Sequence, residues 1–422
     1  MDIQVSALGA IVGLVLAIIL IFRKVPPVYA LVGGAMVGGL VGGASVTETV
    51  DLMMGGAQGI IPAVLRILAA GVLAGVLIES GAAASIAESI VKKIGEKKAL
   101  LALALATLIL TAVGVFVDVA VITVAPIALA IASRANLSKT AILLAMIGGG
   151  KAGNVMSPNP NSIAVADAFE VPLTSVMAAG IIPGLCGLVI TYVIAKKLVN
   201  KGSMVSLDEL TQTNETKLPI FALAIVAPLV TIVLLALRPI ADIVIDPMLA
   251  LPAGGIIGAL VMGKIRYINQ YIISGLNKMS GVAVLLLGTG TLAGIISNSG
   301  LRNVLIDGID VLGLPSYVLA PVSGIFMSAA TASTTAGSAV ASSVFSATLI
   351  EVGVASLAGA AMIHAGATVL DHLPHGSFFH ATAGSVLMNF QERLKLIPYE
   401  SLVGLTIAIV STLLFGVFKL FL

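Results

Sequence analysis

Gly71-Val72-Leu73-Ala74-Gly75-Val76-Leu77-Ile78-Glu79-Ser80-Gly81 is matched later in the chain by Gly290-Thr291-Leu292-Ala293-Gly294-Ile295-Ile296-Ser297-Asn298-Ser299-Gly300. The two stretches begin 219 positions apart. A second pair, Lys151-Ala152-Gly153 and His364-Ala365-Gly366, begins 213 positions apart, and that offset also carries Asp118 onto Thr331. Gly/Ala-rich sequence is self-similar by composition alone. Two separate features sharing one offset are a stronger sign of two like halves.

The composition says what kind of halves these are. Apolar residues make up 59% of the 422 positions and charged residues only 10%, with a mean hydropathy of +1.14. A soluble domain carries roughly 25% charged residues, so this chain cannot cover a soluble surface. Apolar runs of membrane-spanning length recur from end to end. The first, Val5–Phe22, is followed by Arg23 and Lys24 and lacks a small-residue cleavage site, so it reads as a retained helix. The net charge of +2 gives no reason to expect nucleic acid, and one cysteine, Cys186, excludes an intrachain disulfide.

Basic clusters mark the cytoplasmic ends of the spans. Arg23/Lys24, Lys92/Lys93/Lys97/Lys98, Arg134/Lys139, Lys196/Lys197/Lys201, Lys264/Arg266 and Arg393/Lys395 serve as markers, while Arg238, Arg302 and Lys419 break the rule. Spans are expected near 28–43, 60–78 and 173–195, with an acidic outer turn holding Glu48 and Asp51 and an amphipathic stretch at 82–94. The apolar arms 100–117 and 119–133 have positive charge at both outer ends, which predicts a re-entrant hairpin with its tip near Asp118. A second hairpin is expected with its tip at Thr331–Thr335, after an amphipathic stretch near 302–313. The fold class is therefore all-α integral membrane. It is expected to be an inverted-topology repeat with about 10 crossings, two re-entrant helical hairpins and two broken helices, as in many secondary transporters. Residues 1–199 form the first repeat, 200–217 a cytoplasmic linker and 218–422 the second repeat.

Chemistry belongs at the breaks. Backbone polar groups in hydrocarbon must be satisfied internally, so a helix breaks at membrane depth only where protein or water surrounds it. Helix N-termini there suit a carboxylate. The first break, Gly148–Ser162, holds Lys151, Asn154, Ser157, Asn159 and Asn161, two prolines among them. Lys151 lies far from any basic cluster, and a charge inside a membrane usually faces the interior; it suits a substrate carboxylate, or a pairing with Asp118 in the empty state. The second hairpin offers Ser333, Thr334 and Thr335, whose hydroxyls suit a polyol or a dehydrated ion and equally suit helix packing. The second break carries His364, Thr368, Asp371, His372, His375 and Ser377. All four histidines fall between 364 and 380. Imidazole titrates near neutrality, so Asp118, His364, Asp371 and His372 are the candidates for carrying a proton or ion. A metal site is not favoured, because Pro374 interrupts any helix that would align the histidines. Glu79 and Asn298 read as helix caps.

At the two breaks the sequence resembles the gluconate permease (GntP-type) family of the ion-transporter superfamily. The resemblance rests on Ser157-Pro158-Asn159-Pro160-Asn161-Ser162-Ile163-Ala164 and on Asp371-His372-Leu373-Pro374-His375-Gly376-Ser377-Phe378-Phe379. It implies proton-coupled symport of gluconate or a related small hydroxy or sugar acid across the inner (plasma) membrane. It also implies elevator-type movement, a homodimer, no cofactor and no enzymatic activity. Asn159 and Asn161 stand where familiar gluconate carriers have the His and Gly of a Pro-His-Pro-Gly break. Glycerate, another aldonate or a D-amino acid therefore stay open as substrates, sodium as the coupling ion, and a cation/H⁺ antiporter as the rival activity.

Overall fold

The computed structural model describes residues 5–206, 218–301, 304, 313 and 315–420. Among them there is no β-strand, only isolated bridges at Val5–Ser299 and Ser138–Met204. The helices are α1 Ala7–Phe22, α2 Pro27–Val41, α3 Val46–Gly59, α4 Ile61–Glu79, α5 Ala82–Ile94, α6 Ala99–Ala112 and α7 Val117–Ala135. They continue as α8 Lys139–Asn154, α9 Pro160–Ala168, α10 Leu173–Ala179, α11 Ile181–Lys197, α12 Phe221–Ala224, α13 Val226–Ala241, α14 Pro247–Val261 and α15 Ile268–Ser297. The last are α16 Leu319–Thr331, α17 Thr334–Glu351, α18 Ser356–Ala367, α19 Ser377–Ser385, α20 Phe390–Leu394 and α21 Ile397–Ser411, the last running into a wide π-type turn, Thr412–Val417.

Among the described residues, six helical stretches are long and apolar enough to cross a membrane, and five shorter apolar ones accompany them. Their outward faces are apolar too. Leu8, Ile11, Val15 and Ile19, spaced three and four apart, form an exposed stripe on α1, and Leu249, Ile256 and Leu260 are exposed on α14. In water such surfaces would drive aggregation; in lipid they are the solvated face.

Local sequence sets the helix starts. Ser45 and Glu48 make a reciprocal capping box on α3, so the expected acidic turn is the start of a helix, with Asp51 in its second turn. Ser6, Ser138, Asn159 and Ser333 each cap a helix with their own side chain. Gly114 (φ +103) allows the turn between α6 and α7, and Ala332 in the left-handed region closes the turn between α16 and α17. Both expected helix–turn–helix pairs form, α6 with α7 and α16 with α17; the first turns before Asp118, which lies in the first turn of α7. The amphipathic stretch expected near 302–313 falls almost entirely outside the described residues, as does linker segment 207–217.

Two groups of helices pack around glycine-bared crossings. In one, α15 runs across α3 and α4, while α1 packs on α2 and α13 on α14. A Cβ at Gly56 would sit 2.2 Å from the Gly290 carbonyl oxygen, and one at Gly294 2.1 Å from that of Leu52. At the other crossing, a Cβ at Gly71 would sit 2.9 Å from the Gly275 carbonyl oxygen and one at Gly75 2.0 Å from that of Tyr271. Small residues let membrane helices approach to backbone contact, where dispersion replaces the missing hydrophobic drive. The second group holds α6 and α11 against α8, α16 and α21 against α18, and α11 against α21. Within it α9 packs on α17 and α18, and α7 packs on α19. Each broken helix therefore sends its second half against the other hairpin.

Candidate functional site between the broken helices

The first break comes later than its glycines suggest. α8 runs unbroken through Gly148–Gly153 to Asn154. A Cβ at Gly149 would lie 2.0 Å from the Ala104 carbonyl oxygen, and one at Gly148 2.2 Å from Thr191 Oγ1. The glycines therefore seat α8 between α6 and α11, and the chain opens only at 155–159. Lys151 is thus a helical residue, and it is 1% exposed.

The partners of Lys151 come from the second break, residues 368–376 between α18 and α19. Lys151 Nζ donates to the Thr368 carbonyl oxygen at 2.6 Å and to Asp371 Oδ1 at 2.6 Å. It also lies 3.0 Å from His372 Nδ1. Thr334 Oγ1, from the second hairpin, donates to Asp371 Oδ2 at 2.5 Å. His372 Nδ1 is 2.9 Å from Asp371 Oδ1, and its Nε2 is 3.1 Å from the Ile397 carbonyl oxygen and 3.2 Å from Ser401 Oγ. With Nε2–H donating to Ile397, a neutral ring accepts from Lys151 at Nδ1, and a protonated ring donates there to Asp371. Lys151, Asp371, His372 and Thr334 thus join both broken helices and the second hairpin in one buried polar cluster. The pairing expected between Lys151 and Asp118 is not made. Asp118 Oδ1 accepts instead from the Val119 N–H at 2.9 Å, at the start of α7.

Around the first break the asparagines serve one another. Asn159 Oδ1 accepts from the N–H groups of Asn161 and Ser162, both at 3.0 Å, and so caps α9. Asn159 Nδ2 donates to the Asn154 carbonyl oxygen at 2.9 Å, and Asn161 Nδ2 to Asn154 Oδ1 at 3.2 Å. Among the described residues, buried Ser157 Oγ, Asn161 Oδ1 and Ser162 Oγ have no partner, and neither does His364 Nε2. Buried polar atoms without partners are costly unless a ligand or water meets them.

The remaining candidates are spread out. Ser333, Thr334 and Thr335 are half-buried at the second hairpin. His375 is exposed, its Nε2 3.2 Å from the Ala330 carbonyl oxygen, and Ser377 is exposed at the first position of α19. That helix has no side-chain cap. A Cβ on its N-cap residue, Gly376, would sit 2.6 Å from the Ala332 carbonyl oxygen, so its N-terminus abuts the hairpin turn. His372 is fully buried, whereas His380 is exposed and bonded to the Pro374 carbonyl oxygen.

Two clusters escaped the sequence reading. Arg66 on α4 bonds Asp246 through Nε at 3.2 Å and through Nη2 at 2.7 Å, and also pairs with Asp167 on α9. A lone arginine inside the apolar run 61–79 was the available signal. The Arg66 guanidinium holds the Asp246 carboxyl below its ordinary range, chiefly through the hydrogen bond it donates. Beside this cluster a cavity of about 450 Å³ is lined by Asp51, Asp167, Glu170, Asn298, Ser343 and Ser346, among others. The second cluster is the buried pair Arg393–Glu400, whose Glu400 Oε2 stands 4.0 Å from His372 Nδ1. Of the two expected caps, Asn298 does bond back to the Gly294 carbonyl oxygen of its own helix, but Glu79 accepts from Ser274 Oγ across the interface.

Long apolar helices with apolar outer faces, interrupted around buried polar groups, define a multi-pass membrane permease. A family model described as GntP family permease matches residues 3–418, and the chain belongs to that family. It is 70% identical over 415 residues to an uncharacterized transporter of Haemophilus influenzae, covering 98% of this chain and 99% of that one. It is 21% identical to the high-affinity gluconate transporter of Escherichia coli K12, covering 93% of this chain and 97% of the other. Among solved structures it is similar to the YdaH transporter of Alcanivorax borkumensis, with a TM-score of 0.67 at 17% identity over 86% of this chain and 87% of that one. That likeness is one of fold.

Proposed function

We propose that the protein is a secondary active transporter of the inner (plasma) membrane, taking up gluconate or a related small hydroxy or sugar acid by proton symport with alternating access. The observation that carries this reading is the Lys151–Asp371 ion pair, completed by His372 and Thr334, at the meeting of two broken helices and a hairpin. Ionisable groups buried at such a place are the ordinary machinery of a proton-coupled carrier. The similarity to a gluconate transporter supports the substrate class.

In this reading the substrate carboxylate is met by the uncapped N-terminus of α19, with Ser377 and His375, beside Ser333, Thr334 and Thr335. Lys151 cannot pair with it directly while Asp371 holds the ammonium; it acts through Asp371 and Thr334. The unpartnered oxygens of Ser157 and Asn161, with Asn154 and Asn159, suit the hydroxyls of the chain. Asp371 and His372 carry the proton between them, with Asp118 and His364 as outlying ionisable groups and the Thr368 carbonyl oxygen as an anchor.

Inverted repeats at 1–199 and 218–422, joined by 200–217, fit this reading. The offset of 219 that carries Gly71 and Gly75 onto Gly290 and Gly294 also carries Gly56 onto Gly275 and Leu52 onto Tyr271. The two close crossings of α15 over α3 and α4 are therefore counterparts of one another. A homodimer moving as an elevator, with about 10 crossings, is part of the same proposal. Equilibrium binding of gluconate, glycerate, lactate and D-serine to the purified protein tests it. Saturable binding of one hydroxy acid, weakened by Thr334→Val, is expected; binding of none of the acids, with sodium exchanged for protons instead, refutes it.

A further inference from the structure

The ammonium of Lys151 has the surroundings of a bound monovalent cation. Its acceptors are a carbonyl oxygen at 2.6 Å, a carboxylate oxygen at 2.6 Å and an imidazole nitrogen at 3.0 Å. The carbonyl is that of Thr368, the residue that closes α18, where unsatisfied carbonyls and the negative end of the helix dipole gather. A broken-helix C-terminus with a carboxylate beside it is the kind of place where carriers hold a coupling cation. Here the charge arrives on a side chain from another helix, α8. The stem cannot easily withdraw, because α8 is packed at backbone distance on α6: a Cβ at Gly153 would sit 2.1 Å from the Leu108 carbonyl oxygen. Thr111 Oγ1 also donates to the Gly150 carbonyl oxygen at 2.9 Å, next to Lys151 in the chain.

We propose that the pocket formed by the Thr368 carbonyl, Asp371 and His372 is a monovalent-cation site filled by the protein's own Lys151 ammonium. Removing the lysine side chain opens the site to sodium, or to a free ammonium of the same shape. The consequence, that the carrier works without sodium and leaves coupling to protons, rests on the transport reading above; the site itself does not. A plain ion pair has the same distances but a different response. It loses its partner when Lys151 is truncated and recovers only when Asp371 is neutralised as well. A cation site recovers when a cation that fits is supplied.

The test is the melting temperature of the purified full-length protein in choline, sodium, potassium and methylammonium chloride at one ionic strength. The wild type is expected to melt at the same temperature in all four. Lys151→Ala is expected to melt lower in choline and to rise saturably with sodium or methylammonium, and Lys151→Ala/Asp371→Ala is expected to show no cation response. In vesicles, uptake by Lys151→Ala is expected to require sodium, while that of the wild type does not. A saturable sodium shift in the wild type overturns the proposal. So does a Lys151→Ala protein that treats sodium, methylammonium and choline alike, or one unfolded in every salt while the double variant folds. These melting experiments involve no acid, so failure of the wild type to transport one leaves their outcome standing.

Discussion

Thr334 and Asp371 are bonded across two elements: the hydroxyl at the start of α17 donates to Asp371 Oδ2 at 2.5 Å, while Lys151 holds Oδ1 of the same carboxylate. Both oxygens of a nearly dry carboxylate are thereby satisfied, one by a helix that breaks and one by a hairpin that turns. Thr334→Val keeps the shape and removes the donor. Leaving one oxygen of a buried carboxylate unmet costs about 1–3 kcal/mol. Thr334→Val is expected to melt lower and to transport poorly, and Thr334→Ser to retain both properties. Melting and uptake measured on the same preparations check this.

Arg66 joins α4 to the loop before α14 and to α9, which follows the first break. The contact can hold only while the α9 end stays where it is. Arg66→Ala leaves Asp167 and Asp246 facing one another unneutralised. Faster cleavage or labelling of cysteines introduced at the exposed positions Glu170 and Val244 is expected, with uptake altered more than folding. Unchanged labelling would show that the arginine fastens nothing that moves.

The Asp246 pairing has a pH signature. Its folded-state carboxyl lies below the ordinary 3.8, chiefly because Arg66 donates to it. A depressed carboxyl contributes stability that is present above the unfolded value and lost as pH falls through the folded one. Wild-type stability is therefore expected to drop as pH falls below about 3.8, and Asp246→Asn to lack that part of the drop. Melting scans from pH 6 to pH 3 compare the two.

The glycine crossings separate positions that otherwise look alike. Gly56→Ala would drive a methyl to 2.2 Å from the Gly290 carbonyl oxygen, whereas Gly55→Ala meets nothing within 4 Å. Overpacking at backbone contact costs about 1–3 kcal/mol or more. Gly56→Ala is expected to express poorly as a folded protein and Gly55→Ala normally, as read by detergent-stable monodispersity.

Much of this is legible in the sequence. Hydropathy, the hairpins, the second break and the polar character of both breaks follow from the cost of an unsatisfied backbone in lipid, which leaves its mark as Pro, Asn and Gly inside apolar sequence. The partner of Lys151 was not legible. Asp118 and Asp371 are both intramembrane carboxylates, and only the packing of α8 against α21, which brings Lys151 to the break after α18, chooses the second. The sequence places the end of α8 too early because glycine weakens an isolated helix, whereas here Gly148 and Gly149 are demanded by Thr191 and Ala104. Arg66 was passed over because a cation near an outer end resembles an interfacial anchor until Asp246, 180 positions away, closes on it.

The most direct measurement is uptake of labelled gluconate, with glycerate, lactate and D-serine alongside, into proteoliposomes under an imposed inward proton gradient, with and without sodium. Accumulation of one hydroxy acid that follows the proton gradient, ignores sodium and disappears in Asp371→Asn is the expected result. No accumulation of any acid, or accumulation that needs sodium and is indifferent to the proton gradient, would contradict proton symport through the Lys151–Asp371–His372 cluster.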